Sequence, residues 1–246
     1  MDTSFWIRFN PKITVEHTVK KYFGKYLYRL VVYAPAGRLI ESKSSMADAL
    51  THRLSITKSI NYGGYWGNNG YWASRNKDID NADIEFLDCI RDIKHDKPAG
   101  IKMRVEEPRV QIYADTETAL QDVVAQYFKP EHYQYIESVS GPADADAETL
   151  LNAGAIIRRK DNGYRYKILL RDGRYGAQVK SQLLQYLTGL ELDQVLIPKS
   201  MIDTLEGKSA YTWNLYFYSN DLSLNTFISL INPDLILNHH ELIVHK

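Results

Sequence analysis

Cysteine is nearly absent from this chain of 246 residues, whose one cysteine is Cys89. A single thiol has no partner for an internal disulfide, so the chain does not fit the class of small secreted domains held together by disulfides. No run of apolar residues approaches the roughly eighteen that would indicate a membrane span, and the N-terminal residues lack a basic region followed by an apolar run. We therefore expect a cytoplasmic protein with no membrane partner.

Net charge is lacking as well, because 30 lysines and arginines balance 30 aspartates and glutamates. No overall field attracts a polyanion, although residues 1–45 carry an excess of base and residues 78–88 and 141–149 are acidic. The sequence has no phosphate-binding glycine loop with lysine, no GxSxG segment and no dinucleotide-binding fingerprint. We predict no catalytic residue, no metal site and no cofactor.

Internal repetition is present in the form of two segments that recur in the same order. Residues 24–38 (GKYLYRLVVYAPAGR) resemble residues 162–174 (NGYRYKILLRDGR). Further along the chain, residues 113–139 resemble residues 218–244, each with a tyrosine, an amphipathic stretch, a proline and a closing apolar segment. Such repetition indicates two copies of one structural unit.

The second copy has the clearer order of predicted elements. Residue types and hydrophobic periodicity predict a strand at 164–171, a helix at 176–190, an edge strand at 194–201, a strand at 211–219, a helix at 223–231 and a strand at 239–245. The order β-α-β-β-α-β is the ferredoxin-like plan, in which a four-stranded antiparallel sheet carries two helices on one face.

The first copy follows the same plan with a longer connection. Its predicted elements are strands at 26–33, 102–106, 109–114 and 133–139, with a helix at 116–128. We therefore predict an α+β fold of two tandem ferredoxin-like, RRM-like units. The first is residues 1–141, with an N-terminal extension and a long insertion, about 36–100, between its first and second strands. An acidic linker, residues 142–156, precedes the second unit, residues 157–246.

The insertion contains an aromatic, glycine-rich run, NYGGYWGNNGYW, at residues 61–72. Asn69-Gly70 is a favoured two-residue hairpin turn, because both positions tolerate positive φ. One interpretation is a stacking or docking loop formed by Tyr65, Trp66, Tyr71 and Trp72. The other is that these rings cover an open edge or face of the first sheet.

Alternation along the strands predicts which side chains point away from the helix-covered face of each sheet. Tyr166, Ile168 and Leu170 would face the helices, as would Trp213, Leu215 and Phe217. The outward set is then Arg165, Lys167, Arg171, Asn214, Tyr216 and Tyr218 in the second copy, and Arg29, Val31, Tyr33, Arg109, Gln111 and Tyr113 in the first. The alternative is that these polar, β-prone residues form ordinary solvated faces.

Cations beside tyrosines on two central strands resemble the sheet of an RNA-recognition motif, in which rings stack on unpaired bases and basic groups meet phosphates. The resemblance is to the fold plan, since a basic residue and glycine followed by alternating aromatics is absent from YTWNLYFYS and RVQIYAD. Two such units also resemble the tandem ferredoxin-like CRISPR endoribonucleases, with His52 as a candidate catalytic histidine, but their glycine-rich loop near the C-terminus is missing.

Three functions follow as hypotheses. The first is non-enzymatic binding of single-stranded nucleic acid, RNA in preference to DNA, by the two outward faces. The second is an interaction or structural scaffold, such as a viral or mobile-element accessory factor, that binds a protein partner or self-associates through aromatic surfaces. The third is a metal-independent ribonuclease that uses His52.

Overall fold

The computed structural model describes residues 1–34, 81–106, 108–207 and 209–245, together with Gly37, Ile40 and Asp48. The chain divides into two compact units, Met1–Ala145 and Asp146–Lys246, and each is described by itself. Each unit contains a five-stranded sheet of mixed direction together with helices. The predicted α+β class is confirmed.

The first unit begins with elements that the sequence did not predict. Its elements are α1 (Thr3–Phe9), β1 (Thr14–His17), β2 (Tyr28–Tyr33), α2 (Asn81–Asp96), β3 (Ile101–Glu106), β4 (Arg109–Ala114), α3 (Glu117–Tyr127), a 3₁₀ helix (Pro130–Tyr135) and β5 (Ile136–Gly141). The sheet order is β1-β5-β2-β4-β3. β1 pairs in parallel with β5, and every other pair is antiparallel.

The core of the first unit lies between the sheet and its helices. In β2 and β4, Leu30, Val32 and Ile112 are fully buried. α3 buries Leu120, Val123 and Val124 on one side. Thr116 caps this helix, because its side-chain oxygen accepts a hydrogen bond of 3.2 Å from the backbone N–H of Ala119. The predicted helix, residues 116–128, is therefore confirmed.

The second unit contains more elements than the repeat alone predicts. They are α4 (Ala145–Asn152), β6 (Ile156–Arg158), β7 (Tyr166–Leu170), β8 (Gly173–Arg174), α5 (Ala177–Thr188), β9 (Val195–Leu196), α6 (Lys199–Glu206), β10 (Tyr211–Thr212), β11 (Tyr216–Ser219), α7 (Leu224–Ile231) and β12 (Ile236–Val244). The main sheet has the order β6-β12-β7-β11-β9, and β8 and β10 form a separate ribbon. β6 pairs in parallel with β12.

The helix-facing side of this sheet forms one hydrophobic core. Ile168 and Phe217 are fully buried in it, and Leu170 and Leu215 are nearly so. Helices α5, α6 and α7 add Leu183, Leu187, Met201, Leu205 and Ile228. These inward positions agree with the predicted alternation.

Residues 142–156, which the sequence predicts to be a linker, contain helix α4 and reach the start of β6. Ala147 and Leu151 bury one side of α4. Asp146 and Glu148 lie in its first turn, where carboxylates interact favourably with the helix dipole. Part of the acidic composition of this segment therefore lies at a helix start.

The predicted strand 211–219 is interrupted, and the inward position of Trp213 is wrong. β10 pairs with β8, whereas β11 joins the main sheet. Between them Asn214 has a φ of 55°, a left-handed conformation that asparagine tolerates better than most residues. The backbone N–H of Asn214 donates to Asp172 Oδ1 at 2.7 Å. This break in the alternation leaves Trp213 61% exposed.

Two sets of predicted functional residues lie outside the described residues. One is the stacking or docking loop, Tyr65, Trp66, Tyr71 and Trp72, and the other is the candidate catalytic histidine, His52.

Candidate nucleic-acid interface

Each sheet has an outer face, opposite the buried core side chains, and the sequence predicted a binding surface on both. On the first outer face, β2 and β4 place Arg29 opposite Tyr113, and Tyr33 opposite Arg109. Val31 lies opposite Gln111 between these two pairs. The register therefore brings the six outward residues of the first copy into one continuous patch.

Ion pairs neutralise the arginines of this first outer face. Arg29 Nη2 lies 2.8 Å from Glu16 Oε2 on the neighbouring β1. Arg109 bonds to Glu137 on β5, and this hydrogen bond raises the pKa of the guanidinium. Each of these arginines thus has a carboxylate where a phosphate would have to bind.

Tyr113 lies on the first outer face beneath an aromatic cover. Tyr22 and Phe23, from the connection between β1 and β2, bring their ring centroids to 5.2 and 5.0 Å from that of Tyr113. Tyr26 lies at 6.3 Å. Tyr113 is consequently only 3% exposed, and burial raises the pKa of its hydroxyl. Its ring is not accessible to a base.

A groove of about 680 Å³ crosses the remainder of this face. Its charged lining residues are Lys12, Arg29, Arg109, Glu16, Glu106 and Glu137. Cations and carboxylates are therefore equal in number in the lining, and the groove has no electrostatic preference for a polyanion. Gln111 is held within it by a hydrogen bond from its Nε2 to Glu106 Oε2 at 2.5 Å.

The second outer face has a different arrangement, which we name the tyrosine–cation cluster: Arg158, Lys167, Tyr216 and Tyr218. The strand register sets Tyr218 opposite Lys167. Lys167 Nζ lies 3.7 Å from the ring centroid of Tyr216 and 6.0 Å from that of Tyr218. These distances are within the range of cation–π attraction.

Arg158, at the end of β6, brings a second cation to this cluster. Its guanidinium carbon lies 5.7 Å from the ring centroid of Tyr218. Burial, and then the neighbouring Tyr216, raises the pKa of Tyr218. Arg158 was not among the predicted site residues, because the segment that forms β6 lies across the boundary between the predicted linker and the second unit. The basic run at 158–160 was the signal that could have identified it.

The two tyrosine rings of the cluster are steeply inclined to each other. Their centroids are 5.5 Å apart and their planes meet at 75°. Tyr164 contributes a third ring, 6.4 Å from Tyr218 and inclined to it by 31°. The hydroxyl of Tyr164 donates a hydrogen bond to the carbonyl oxygen of Leu192.

The other predicted cations of the second copy have partners of their own. Arg165 Nε lies 3.0 Å from Glu241 Oε1, and this hydrogen bond raises the pKa of the arginine. Arg171 Nε donates to the carbonyl oxygen of Asp234 at 3.2 Å.

Among the described residues, no cluster of three or more histidine, cysteine, aspartate or glutamate side chains could hold a metal ion. In the same residues, none of the helices combines the length and apolar character of a transmembrane segment. A scan against models of known protein families finds no match for this chain, and a search of curated protein sequences finds none either.

Proposed function

We propose that this chain is a non-enzymatic protein that binds single-stranded nucleic acid, RNA in preference to DNA, through the tyrosine–cation cluster. The observation that carries the proposal is the placement of Lys167 and Arg158 against the rings of Tyr216 and Tyr218 on one sheet face. Rings that stack on bases, next to cations that meet phosphates, are the usual elements of a single-strand binding surface.

The inclination of the rings favours an unpaired strand. Two bases that stack on Tyr216 and Tyr218 would be inclined by about the same 75°, so they could not remain stacked on each other. Neighbouring bases in a duplex are held parallel, whereas those of an unpaired strand can be splayed apart. The cluster therefore suits single strands.

The preference for RNA rests on a proposed fold relationship. We infer that both units follow the ferredoxin-like plan, because the four strands β2 to β5 have the order β5-β2-β4-β3, and their counterparts have the order β12-β7-β11-β9. RNA-recognition motifs use this plan and bind bases on the open sheet face. The cluster occupies the corresponding face of the second unit.

The first outer face is not expected to contribute to binding in this proposal. Arg29 and Arg109 are engaged by carboxylates and Tyr113 is buried, so phosphate or base binding there would first have to break existing contacts. Binding should therefore depend on the second unit.

Fluorescence anisotropy of a labelled 20-nucleotide single-stranded RNA, with matched DNA, tests the proposal at several salt concentrations. The double variant Arg158→Ala with Lys167→Ala should bind more weakly and should reduce the slope of log K against log salt by about 1.4, since each phosphate contact on a single strand contributes roughly 0.7. The matched control is Arg104→Ala with Arg109→Ala on the first sheet, which should leave both quantities unchanged. Equal affinity and slope in wild type and the cluster variant would contradict the proposal.

A protein-binding scaffold is the second candidate, and an apolar surface on α7 favours it. Phe227 and Leu230 are 53% and 80% exposed. They line a groove of about 370 Å³ between α5 and α7, together with Gln182, Gln185, Tyr186 and Ile231. Exposed apolar residues in a groove are typical of protein interfaces. Sedimentation should then show a self-associated species that Leu230→Glu removes, and a wild-type monomer at all concentrations would count against self-association.

A further inference from the structure

The ring faces of the tyrosine–cation cluster are occupied in the unbound protein. Lys167 Nζ lies 3.7 Å from the ring centroid of Tyr216, which is the distance at which a stacked base would lie. The guanidinium carbon of Arg158 lies over the ring of Tyr218 at a longer distance, 5.7 Å from its centroid. A base and a cation cannot occupy one ring face together, so a base that stacks there must displace the cation.

We propose that Lys167 and Arg158 exchange their tyrosine rings for phosphates when a strand binds. This inference rests on the proposed function and specifies the ligand class of the same site. The site would accept ligands that present a base and an adjacent charged phosphate together, which means oligonucleotides with an ionic backbone. It would bind nucleosides and strands with an uncharged backbone more weakly.

The site should prefer ligands with a charged backbone because a cation that is displaced from its ring needs a new partner. A cation–π contact at a partly exposed site corresponds to about a 2- to 5-fold change in an equilibrium constant. A phosphate next to the stacked base replaces that contact for Lys167. An uncharged ligand leaves the ammonium without this replacement, so the lost contact opposes binding.

Lys167 therefore has two opposing effects on affinity, and salt separates them. Its phosphate contact strengthens binding at low salt, whereas its ring contact competes with the base at every salt concentration. In the anisotropy titration, Lys167→Ala should bind the RNA more weakly than wild type at low salt. Its slope should be shallower by about 0.7, and at high salt it should bind about 2- to 5-fold more tightly than wild type.

The two lines of log K against log salt should therefore cross. If Lys167 only contacts phosphate, the lines approach each other without crossing, and that result would overturn the exchange. Lys199→Ala is the control, because Lys199 is an exposed lysine in the same unit but on α6. It should reproduce the wild-type line.

A strand with an uncharged methylphosphonate backbone and the same sequence provides the second test. Lys167→Ala should bind this strand about 2- to 5-fold more tightly than wild type, since only the ring competition remains. Equal or weaker binding by the variant would refute the exchange.

Failure of this inference and failure of the proposed function give different results. If wild type binds neither RNA nor DNA at low salt, the proposed function is wrong and the exchange falls with it. If wild type binds in a manner that Tyr216→Leu weakens, but the salt lines do not cross, only the exchange is wrong. Nuclear magnetic resonance checks the unbound state. Ring-current shifts of the Lys167 side chain should decrease in Tyr216→Leu, and their absence from wild type would contradict the starting contact.

Discussion

Replacement of Lys180 by alanine should destabilise the second unit more than replacement of any solvated lysine. Lys180, in the first turns of α5, is only 4% exposed. Its Nζ donates hydrogen bonds to the carbonyl oxygens of Gly207 at 2.5 Å and Ser209 at 3.1 Å. Gly207 is the C-cap of α6. The ammonium therefore lies at the negative end of that helix dipole.

The expected cost follows from these two contacts. A hydrogen bond from a charged donor contributes ~1.5–3 kcal/mol, and both acceptors belong to exposed residues that water can reach after the change, so we expect a net loss of about 2 kcal/mol. That loss corresponds to about 30-fold faster amide hydrogen exchange through local opening of the segment. Since α6 (Lys199–Glu206) loses its C-terminal partner, the effect should be greatest there.

Hydrogen exchange followed by mass spectrometry measures the loss of stability separately in each segment of the chain. The method therefore does not require a chain of two units to unfold as a two-state system. The peptide that covers α6 should exchange about 30-fold faster in Lys180→Ala. Lys180→Met keeps the packing of the side-chain stem but lacks the donor, and it should show a similar effect. The control Lys199→Ala should exchange like wild type. Less than about 3-fold acceleration in Lys180→Ala, equivalent to roughly 0.6 kcal/mol, would refute the reasoning.

Three further outcomes are expected. Burial lowers the pKa of His132 and so favours its neutral form in the folded protein. The stabilising contribution of this histidine should be present above pH 6.5 and be lost as the pH falls through the lowered pKa, and urea titrations from pH 8 to 5 should show less of this loss in His132→Asn. Burial raises the pKa of Cys89 to about 12, so iodoacetamide at pH 8 should alkylate it only after unfolding, and rapid modification of the native protein would contradict this. Asn214→Val should cost about 1–2 kcal/mol in urea unfolding because of its positive φ, whereas Asn214→Gly should be nearly neutral.

Features governed by local periodicity could be predicted from the sequence. The buried stripe of α3, with Leu120 and Val124, follows from helical spacing, and Thr116 is a common N-cap residue. The central strands β2 and β7 were recognised because their alternation and the repeat agree. In these segments the neighbours along the chain determine the structure, so a sequence pattern is sufficient.

Features that depend on distant contacts could not be predicted in the same way. Trp213 was expected inside because the strand pattern continues through Asn214, whose left-handed conformation is supported by Asp172, far back in the sequence. The burial of Tyr113 requires the segment around Phe23 to fold over the sheet. Such tertiary contacts leave no periodic signal.

The residues of the candidate site also divide into those that a local pattern predicts and those that depend on distant contacts. Alternation placed Lys167, Tyr216 and Tyr218 on one face, and the strand register brings them together. The neutralisation of Arg165 by Glu241, and the approach of Arg158 from an edge strand, depend on how strands pair rather than on any single strand. Charge on a sheet face therefore cannot be judged from one strand at a time.

The parallel pairing of β6 with β12 determines where the chain can be cut. A recombinant fragment that starts at residue 157 would omit α4 and the first residue of β6, so the main-chain groups of Leu242 would lose their neighbour Ile156. An exposed strand edge of this kind invites association with other chains. A fragment that starts at Asp144 would keep both elements and is the appropriate choice for producing the second unit alone.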